Sequence, residues 1–228
     1  YLKYLYNCND KKISIITPGV DTTLFKPIEK SRAKKFIGAN AKYKIILFVG
    51  RIEPLKGIDV LLYALKIMLE RNPKLNVCLW IIGGDISQKP HLWSKELKKI
   101  EKLRRFFNMT TVVKFVGQRP QNELPFYYNA SEMVVIPSHY ESFGLAALEA
   151  MACGLPVITS NVSGVANLID KKHQKLVTSA NNPLLLASQM ENLLTNEKIR
   201  QQFSQDILSK VQDLSWERVA AKVAKVYQ

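Results

Sequence analysis

The sequence predicts an α/β fold, in which a parallel sheet carries helices on both faces and a helical tail follows. Short apolar runs alternate with segments whose apolar residues recur at helical spacing. Most of these runs are continuously apolar, as in strands buried between two layers of helices. Six runs predict strands: Ile13–Thr17, Ile45–Val49, Val77–Ile82, Val112–Val116, Met133–Ile136 and Pro156–Thr159.

The segments between the strands predict amphipathic helices. Ile58–Leu69 places its apolar residues on one face, Trp93–Phe107 carries a second such stripe, and Leu145–Cys153 is apolar nearly all round. After Asn182 the pattern is helical throughout, which predicts a tail over about 183–228. Because no internal repeat or low-complexity linker divides the chain, residues 1–228 are predicted to form one domain.

Composition indicates a folded protein with an anionic partner. The 228 residues are 47% hydrophobic, enough to build a core, and 33 Lys and Arg against 19 Asp and Glu give a net charge of +14. No apolar run approaches the roughly 18 residues of a membrane span, and no signal peptide is recognised. Three cysteines without metal-ligand spacing suit reduced thiols. The sequence therefore predicts a cytoplasmic protein.

The positive charge is unevenly distributed along the chain. Residues 120–170 contain no Lys or Arg but five acids: Glu123, Glu132, Glu141, Glu149 and Asp170. A nucleic-acid groove would more naturally interleave basic and aromatic residues along one surface. No nucleic acid is therefore expected as a partner, although a basic nucleic-acid-binding module without catalytic activity remains an alternative.

Ligands of parallel sheets collect at the carboxyl ends of the strands. The strand ending at Val49 is followed by "GRIEPLKG", residues 50–57, which matches neither common phosphate-binding fingerprint. It offers Arg51 directly after the strand and Lys56 at the mouth of a helix. Two cations beside a helix N-terminus suit a diphosphate, because the helix dipole adds to their field. The alternative is that both are solvated surface charges.

Two glutamates, eight positions apart, follow the strand that ends at residue 136. Glu149 lies inside an apolar run, and a buried carboxylate is costly unless it is paired. It could pair with a structural lysine, lie on a solvent-facing side, or accept hydrogen bonds from the hydroxyls of a bound sugar. Glu141 precedes the helix, and Gly144 permits a tight turn between them. The amides of Phe143, Gly144 and Leu145 are predicted to point towards an anion.

The segments "VGRIEPLKGIDVLLYAL" and "PSHYESFGLAALEAMACGLPVI" together resemble the donor-binding, C-terminal half of the retaining GT-B glycosyltransferases of group 1. This family includes sucrose-phosphate synthase and the mycothiol glycosyltransferase. The resemblance extends from about Ile15 to the final "SWERVAAKVAKVY". It implies a Rossmann-like sheet, one half of a GT-B fold. It also implies transfer of a hexose from a nucleoside-diphosphate sugar, with a UDP-sugar expected, to an unknown acceptor hydroxyl.

The resemblance also implies roles for individual residues. Arg51 and Lys56 correspond to the residues that hold the donor diphosphate and stabilise the leaving nucleotide. Glu141 corresponds to the glutamate near the transferred sugar, and these three residues are the expected catalytic groups. Glu149 corresponds to the residue that accepts the ribose hydroxyls.

The remaining donor contacts are implied in the same way. Gly84 corresponds to a glycine that gives the nucleotide room, and Arg119 lies in the loop that contacts the base. The amides of Phe143, Gly144 and Leu145 are expected at the phosphates. The family needs no divalent metal, because arginine and lysine take its role, so neither metal nor cofactor is expected beyond the nucleotide-sugar.

The family's acceptor-binding N-terminal domain has no counterpart in this chain, and that domain is the expected partner. The isolated chain is therefore expected to bind donor without useful turnover. The segment 94–107 has a basic face that either is merely solvated or contacts a membrane surface or another partner. Asn167 departs from the family pattern, where a glutamate is usual, which weakens any inference about the sugar. A glycoside hydrolase that uses the two glutamates as its acid–base pair is a further alternative.

Overall fold

A six-stranded, wholly parallel sheet forms the centre of the molecule. The computed structural model describes residues 2–227. The strand order across the sheet is β3-β2-β1-β4-β5-β6, and every neighbouring pair is parallel. The strands are β1 (Lys44–Val49), β2 (Val77–Ile82), β3 (Val113–Gly117), β4 (Met133–Ile136), β5 (Val157–Ser160) and β6 (Val177–Thr178).

Helices connect most of the strands, and three further helices follow the last strand. Those that cross between strands include α3 and α4, which pack against each other, and α5 and α6. The helices of the described chain are α1 (Leu2–Tyr6), α2 (Lys30–Phe36), α3 (Ile58–Arg71), α4 (Lys95–Phe106), α5 (Leu124–Ala130), α6 (Leu145–Ala152), α7 (Pro183–Thr195), α8 (Glu197–Gln212) and α9 (Trp216–Val226).

The continuous apolar runs become strands because both of their faces are buried. Residues 45–48 of β1 are at most 1% exposed, and all four residues of β4 are buried. β1 and β2 pair in register from Lys44 opposite Val77 to Val49 opposite Ile82. With helices covering both faces, no alternation of polar residues is required. The predicted Rossmann-like fold with its parallel sheet and helical tail is confirmed.

The strand order reverses direction beside β1. The chain moves outwards from β1 to β2 and β3, and then returns to place β4 on the other side of β1, with Ile46 opposite Met133. The loops that leave β1 and β4 therefore diverge and open a crevice at their carboxyl ends. This is where "GRIEPLKG" and "PSHYESFG" lie.

One predicted strand does not form. Residues 13–17 have no regular secondary structure, and the isolated pairing near them joins Val20 to Ser215. Ile15 is 92% exposed, and none of residues 13–17 is fully buried. The described sheet ends at β3 and β6, and this segment pairs with neither of these edge strands.

Four elements were not predicted from the sequence: the short strand β6 and helices α1, α2 and α5, which carry too few residues to establish a periodic pattern. The predicted tail also contributes to the core. Helix α7 packs against α3, and Met190 and Leu193 are fully buried in the core.

Two structural features are absent from the described residues. No helix in residues 2–227 combines the length and apolarity needed to cross a membrane. Within the same residues, no group of three or more His, Cys, Asp or Glu side chains is placed to hold a metal ion.

Candidate functional site

A cleft of about 350 Å³ opens at the carboxyl ends of β1 and β4. Its walls come from the ends of these strands, the loops that leave them and the first turn of α6. Pro18 closes it from the N-terminal segment. The lining residues are Pro18, Phe48, Val49, Gly50, Arg51, Lys56, Ile136, Glu141, Ser142, Phe143, Gly144, Leu145 and Ala146.

The loop after β1 places Lys56 on this cleft through a short 3₁₀ turn, Pro54–Lys56. Gly57 ends the turn with a φ of 63°, a left-handed conformation that glycine adopts most easily. A Cβ atom at Gly57 would lie 2.2 Å from the carbonyl oxygen of Pro137. The loops after β1 and β4 therefore approach closely here, and only glycine fits between them.

Lys56 and Glu141 form an ion pair across the cleft. The Nζ atom of Lys56 lies 2.7 Å from Oε2 of Glu141, and their side chains are only 17% and 14% exposed. The predicted cation and the predicted sugar-facing carboxylate thus contact each other directly. At such low exposure the pair is weakly screened by solvent, so each charge depends on the other.

Arg51 occupies a different environment. Its Nη1 atom lies 2.7 Å from Oε1 of Glu53, but its side chain is 79% exposed. An ion pair this open to solvent holds the guanidinium only weakly. Arg51 lines both the main cleft and a neighbouring one, so its side chain can reach either without disturbing the core.

The N-terminus of α6 points its free amides into the main cleft. Gly144 precedes the helix with a φ of 98°, and no side chain caps it. Within the described chain, the amides of Phe143, Gly144 and Leu145 donate to no protein acceptor. Ser163 Oγ and the Val165 amide instead bond the carbonyl oxygen of Phe143, at 2.9 and 2.8 Å, which fixes this turn. Such a helix end favours an anion.

A second cleft of about 250 Å³ adjoins the first and shares Arg51 with it. Gly84, Asp85 and Trp93 contribute to its lining. The position that a Cβ of Gly84 would take lies 2.7 Å from Cδ1 of Ile52. The left-handed φ of 68° at Gly84, together with this close approach, favours glycine at position 84 whatever the cleft holds.

Glu149 lies one turn into α6 and lines neither of these clefts. Its Oε2 atom accepts a hydrogen bond of 2.7 Å from the hydroxyl of Tyr128, which is fully buried on α5. Burial raises the pKa of the Glu149 carboxyl, and the hydrogen bond from Tyr128 only partly offsets it. The same burial raises the pKa of Tyr128 well above its usual value.

Arg119 also lies outside both clefts. Its guanidinium donates to the carbonyl oxygen of Val116 at 3.1 Å, and its side chain is exposed. The structure thus brings six of the nine predicted site residues together on one cleft: Arg51, Lys56, Glu141, Phe143, Gly144 and Leu145. Gly84 lines the adjoining cleft, while Arg119 and Glu149 lie apart.

Sequence reasoning missed several residues of the site. One is Tyr128, whose hydroxyl donates a hydrogen bond to the carboxylate of Glu149. Pro18 and Phe48 line the cleft as well. No polar pattern marks these positions, because a buried tyrosine and a buried phenylalanine produce the same apolar signal.

Comparison with known proteins places the chain in a family. The sequence profile described as glycosyl transferases group 1 matches residues 29–208. The chain is 30% identical over 229 residues to D-inositol 3-phosphate glycosyltransferase of Corynebacterium efficiens, covering 99% of this chain and 53% of that protein. It spans about half the length of the curated relatives it matches.

Solved structures agree with this assignment. Sucrose-phosphate synthase from Thermosynechococcus elongatus superposes with a TM-score of 0.82 at 31% identity, over 94% of this chain and 51% of that one. The Anabaena protein HepE, solved with UDP and glucose, superposes with a TM-score of 0.80 at 20% identity, over 94% of this chain and 56% of that one. At that identity HepE supports the fold alone. The chain belongs to the group 1 family of glycosyltransferases, and its fold is the Rossmann-like half of a GT-B enzyme.

Proposed function

We propose that this chain is the donor-binding half of a retaining glycosyltransferase that transfers a hexose from a UDP-sugar to an acceptor hydroxyl. The observation that carries the proposal is the convergence of Arg51, Lys56, Glu141 and the amides of α6 on one cleft. Two cations and a helix N-terminus supply what a diphosphate needs, and a carboxylate supplies what a sugar needs.

The diphosphate would lie between Lys56 and the first turn of α6. Its oxygens would accept hydrogen bonds from the amides of Gly144 and Leu145, which have no protein acceptor among the described residues. Arg51, exposed at the rim, would fold onto the same group. Binding a diphosphate requires Lys56 to divide its donors between phosphate and Glu141.

The hydroxyls of the donor would meet the two glutamates. Glu141 lines the cleft beside Lys56 and is placed for the transferred sugar. Glu149 is assigned to the ribose, which requires its carboxylate to become reachable from the cleft while Tyr128 holds one of its oxygens. The resemblance, rather than the position of Glu149, is the stronger support for this last assignment.

The proposed chemistry follows from charge. Cleaving the anomeric bond develops negative charge on the nucleoside diphosphate and positive charge on the sugar ring. Lys56 and Arg51 stabilise the first, and the carboxylate of Glu141 stabilises the second. With two cations at the diphosphate, the proposed reaction does not depend on a divalent metal, so activity of the complete enzyme should persist in EDTA.

The choice of UDP rests first on the family resemblance of the sequence. HepE, whose fold this chain shares, was solved with UDP and glucose. The second cleft carries the polar side chains of Asp85, Gln88 and Gln118, which could hydrogen-bond to more than one base. UDP is therefore the first nucleotide to test, with ADP and GDP as competitors.

A second domain is proposed to complete the enzyme. The chain spans about half of its relatives, and α9 exposes an apolar stripe along one side. Trp216, Val223 and Val226 of this stripe are 51%, 38% and 54% exposed. Their spacing puts them on one helix face, as expected for a surface that packs against another domain. Alone, the chain should bind donor but transfer sugar slowly, because it lacks a second wall to hold the acceptor and exclude water.

Titration calorimetry of this chain with UDP and with UDP-glucose tests the proposal. Lys56→Ala and Arg51→Ala should each remove most of the affinity. Lys198→Ala, an exposed position on α8 outside both clefts, is the matched control and should leave binding unchanged. Absence of binding by UDP, ADP and GDP at millimolar concentration would refute the assignment.

The two alternatives from the sequence find little support in this arrangement. A glycoside hydrolase needs two carboxylates across one cleft. Here Glu141 lines the cleft and pairs with Lys56, whereas Glu149 lies outside it and bonds to Tyr128. A nucleic-acid-binding module would not explain why Arg51, Lys56 and Glu141 lie together at the N-terminus of α6.

A further inference from the structure

Helix α4 presents to solvent a face that the proposed donor chemistry does not use. At 3.6 residues per turn, its exposed side chains fall in one arc of about 120°. Leu97 and Ile100, on the opposite side, are buried. We call this arc the α4 basic face; it consists of Lys95, Lys98, Lys99, Lys102, Arg105 and Phe106.

The acids of the helix lie outside the α4 basic face. Glu101 is buried and binds Arg104 and Arg105 at 2.7 and 2.5 Å. Lys99 contacts Asp59 at 2.9 Å. Among the described residues, Lys95, Lys98 and Lys102 have no carboxylate within ion-pairing distance, so most of the face keeps its charge unneutralised.

The fold does not explain this clustering of cations. Lys95 and Lys99 lie one turn apart, as do Lys98 and Lys102, and like charges at that spacing destabilise a helix. Mixed signs on the same face would stabilise it. A surface arranged at the expense of helix stability is better explained by a partner that carries negative charge.

Apolar side chains flank the cations. Phe106, at the end of α4, is 78% exposed, and Leu92, just before the helix, is 60% exposed. Between α3 and α4 lies a groove of about 250 Å³, lined by Tyr63, Leu103 and Phe106 with Lys99 and Lys102 beside them. Exposed apolar side chains thus lie at both ends of the row of cations, and a surface with both features can combine electrostatic attraction to anionic lipid with insertion of apolar groups.

We propose that the α4 basic face docks on an anionic lipid surface, with Phe106 and Leu92 entering the headgroup region. Lipid phosphates meet the unpaired lysines, and the acyl boundary removes the two apolar side chains from water. Nucleic acid would satisfy the lysines equally well. The exposed side chains of Phe106 and Leu92 gain more from an acyl boundary than from a phosphate backbone, so a membrane fits the whole surface better.

The docked orientation would bring the donor-side clefts near the lipid. Ser94 and Leu97, at the start of α4, line the second cleft. The second cleft would therefore open beside the first turn of the docked helix.

Vesicle flotation of this chain tests the proposal, with vesicles of phosphatidylcholine alone and of phosphatidylcholine mixed with phosphatidylglycerol. The wild-type chain should bind only the mixed vesicles and should be released by high salt. Combined Lys95→Glu, Lys98→Glu and Lys102→Glu substitutions should weaken binding by roughly 100-fold or more. Phe106→Ser should weaken it by roughly 10-fold.

The matched control combines Lys35→Glu, Lys171→Glu and Lys198→Glu, three exposed positions away from α4 that produce the same net charge. This control should keep most of the binding. Circular dichroism and thermal unfolding establish whether each variant is folded. If the triple variant of α4 does not fold, Lys98→Glu alone is tested in its place. No binding to the mixed vesicles, or an equal loss in the control, overturns the proposal. So does retention on duplex nucleic acid without vesicle binding.

Discussion

The Nζ atom of Lys56 lies 2.7 Å from Oε2 of Glu141, although 85 positions separate the two residues in sequence. The contact exists because the loops after β1 and β4 leave adjacent strands at the same edge of the sheet. It joins the group proposed for the diphosphate to the group proposed for the sugar. Binding of a diphosphate at Lys56 should therefore change how Glu141 binds the sugar.

Substitution of either partner tests this coupling. Lys56→Met and Glu141→Gln should each lower the free energy of unfolding by roughly 2 kcal/mol, because each leaves a poorly hydrated charge without its partner. The double variant should lose clearly less than the sum of the two. Urea denaturation of the four proteins measures this, and additive losses would show that the pair is not coupled.

Substitution of Lys56 and substitution of Glu141 should have different effects on ligand binding. Lys56→Met should lose most of the affinity for UDP. Glu141→Gln should bind UDP as well as the wild-type chain or more tightly, because Lys56 no longer divides its donors. It should also lose the part of the UDP-glucose affinity that the sugar contributes. Calorimetry with both ligands distinguishes these outcomes, and equal losses for both variants would contradict the assigned roles.

The hydroxyl of Tyr128 should matter far more than an ordinary buried hydroxyl. Tyr128→Phe preserves the packing but removes the donor to Glu149, and should cost about 1–3 kcal/mol of stability at neutral pH. It should also weaken UDP binding if Glu149 contacts the ribose. Tyr63→Phe, at a position 47% exposed, is the control and should change stability by less than about 0.5 kcal/mol.

Glu149 should make stability depend on pH in a defined direction. Burial raises the pKa of its carboxyl in the folded chain. Above the ordinary pKa of glutamate, the folded state therefore binds more protons than the unfolded state, and the free energy of unfolding falls as pH rises. Glu149→Gln removes this titration. Its advantage over the wild-type chain should grow with pH and then level off above the raised pKa.

Urea denaturation of both proteins across mildly acidic to neutral pH measures this effect. Glu197→Gln, an exposed position, controls for the loss of one negative charge. A difference between Glu149→Gln and the wild-type chain that shrinks as pH rises would mean that the carboxylate is stabilised, rather than destabilised, by its surroundings.

Much of the fold could be predicted from the sequence because burial and periodicity act locally. Strands Val77–Ile82 and Met133–Ile136 are recognisable as continuous apolar runs, and both have the predicted bounds. Ile13–Thr17 also contains three isoleucines but forms no strand, because the segment pairs with neither edge strand of the sheet. Apolar character is a local property, whereas pairing depends on where the rest of the fold places the segment.

The residues of the site fall into the same two groups, those that could be predicted from local sequence and those that depend on the packing of the whole fold. The sequence placed Arg51, Lys56 and Glu141 at strand ends, and parallel topology brought them to one cleft. The partner of Glu149 could not be predicted, because Tyr128 reaches it through the packing of α5 against α6. Which buried hydroxyl meets which buried carboxylate depends on side-chain packing that no spacing rule encodes.

The cysteines offer a direct test of the core. Burial raises the pKa of the Cys153 thiol to about 12, and burial likewise raises the pKa of Cys78. Since the thiolate is the reactive form, Cys153 should resist alkylation in the native chain and react only on unfolding. Cys8, which is partly exposed, should react first. Peptide mass spectrometry after timed alkylation measures the order, and early labelling of Cys153 would contradict the packing around α6.

Two glycines with nearly the same backbone conformation should respond very differently to one added methyl group. Gly38 and Gly57 have φ angles of 64° and 63°. An alanine at Gly38 would meet no heavy atom within 4 Å, so Gly38→Ala should cost only the backbone strain, about 1–2 kcal/mol. An alanine at Gly57 would also place its Cβ 2.2 Å from the carbonyl oxygen of Pro137. The loops after β1 and β4 would then have to separate, which moves Lys56 away from Glu141.

Gly57→Ala should therefore lose clearly more stability than Gly38→Ala and should also lose UDP affinity, whereas Gly38→Ala should bind UDP normally. Thermal unfolding and calorimetry of the two variants decide it. Equal stability losses with UDP binding intact in both would show that the two loops can part without disturbing the site.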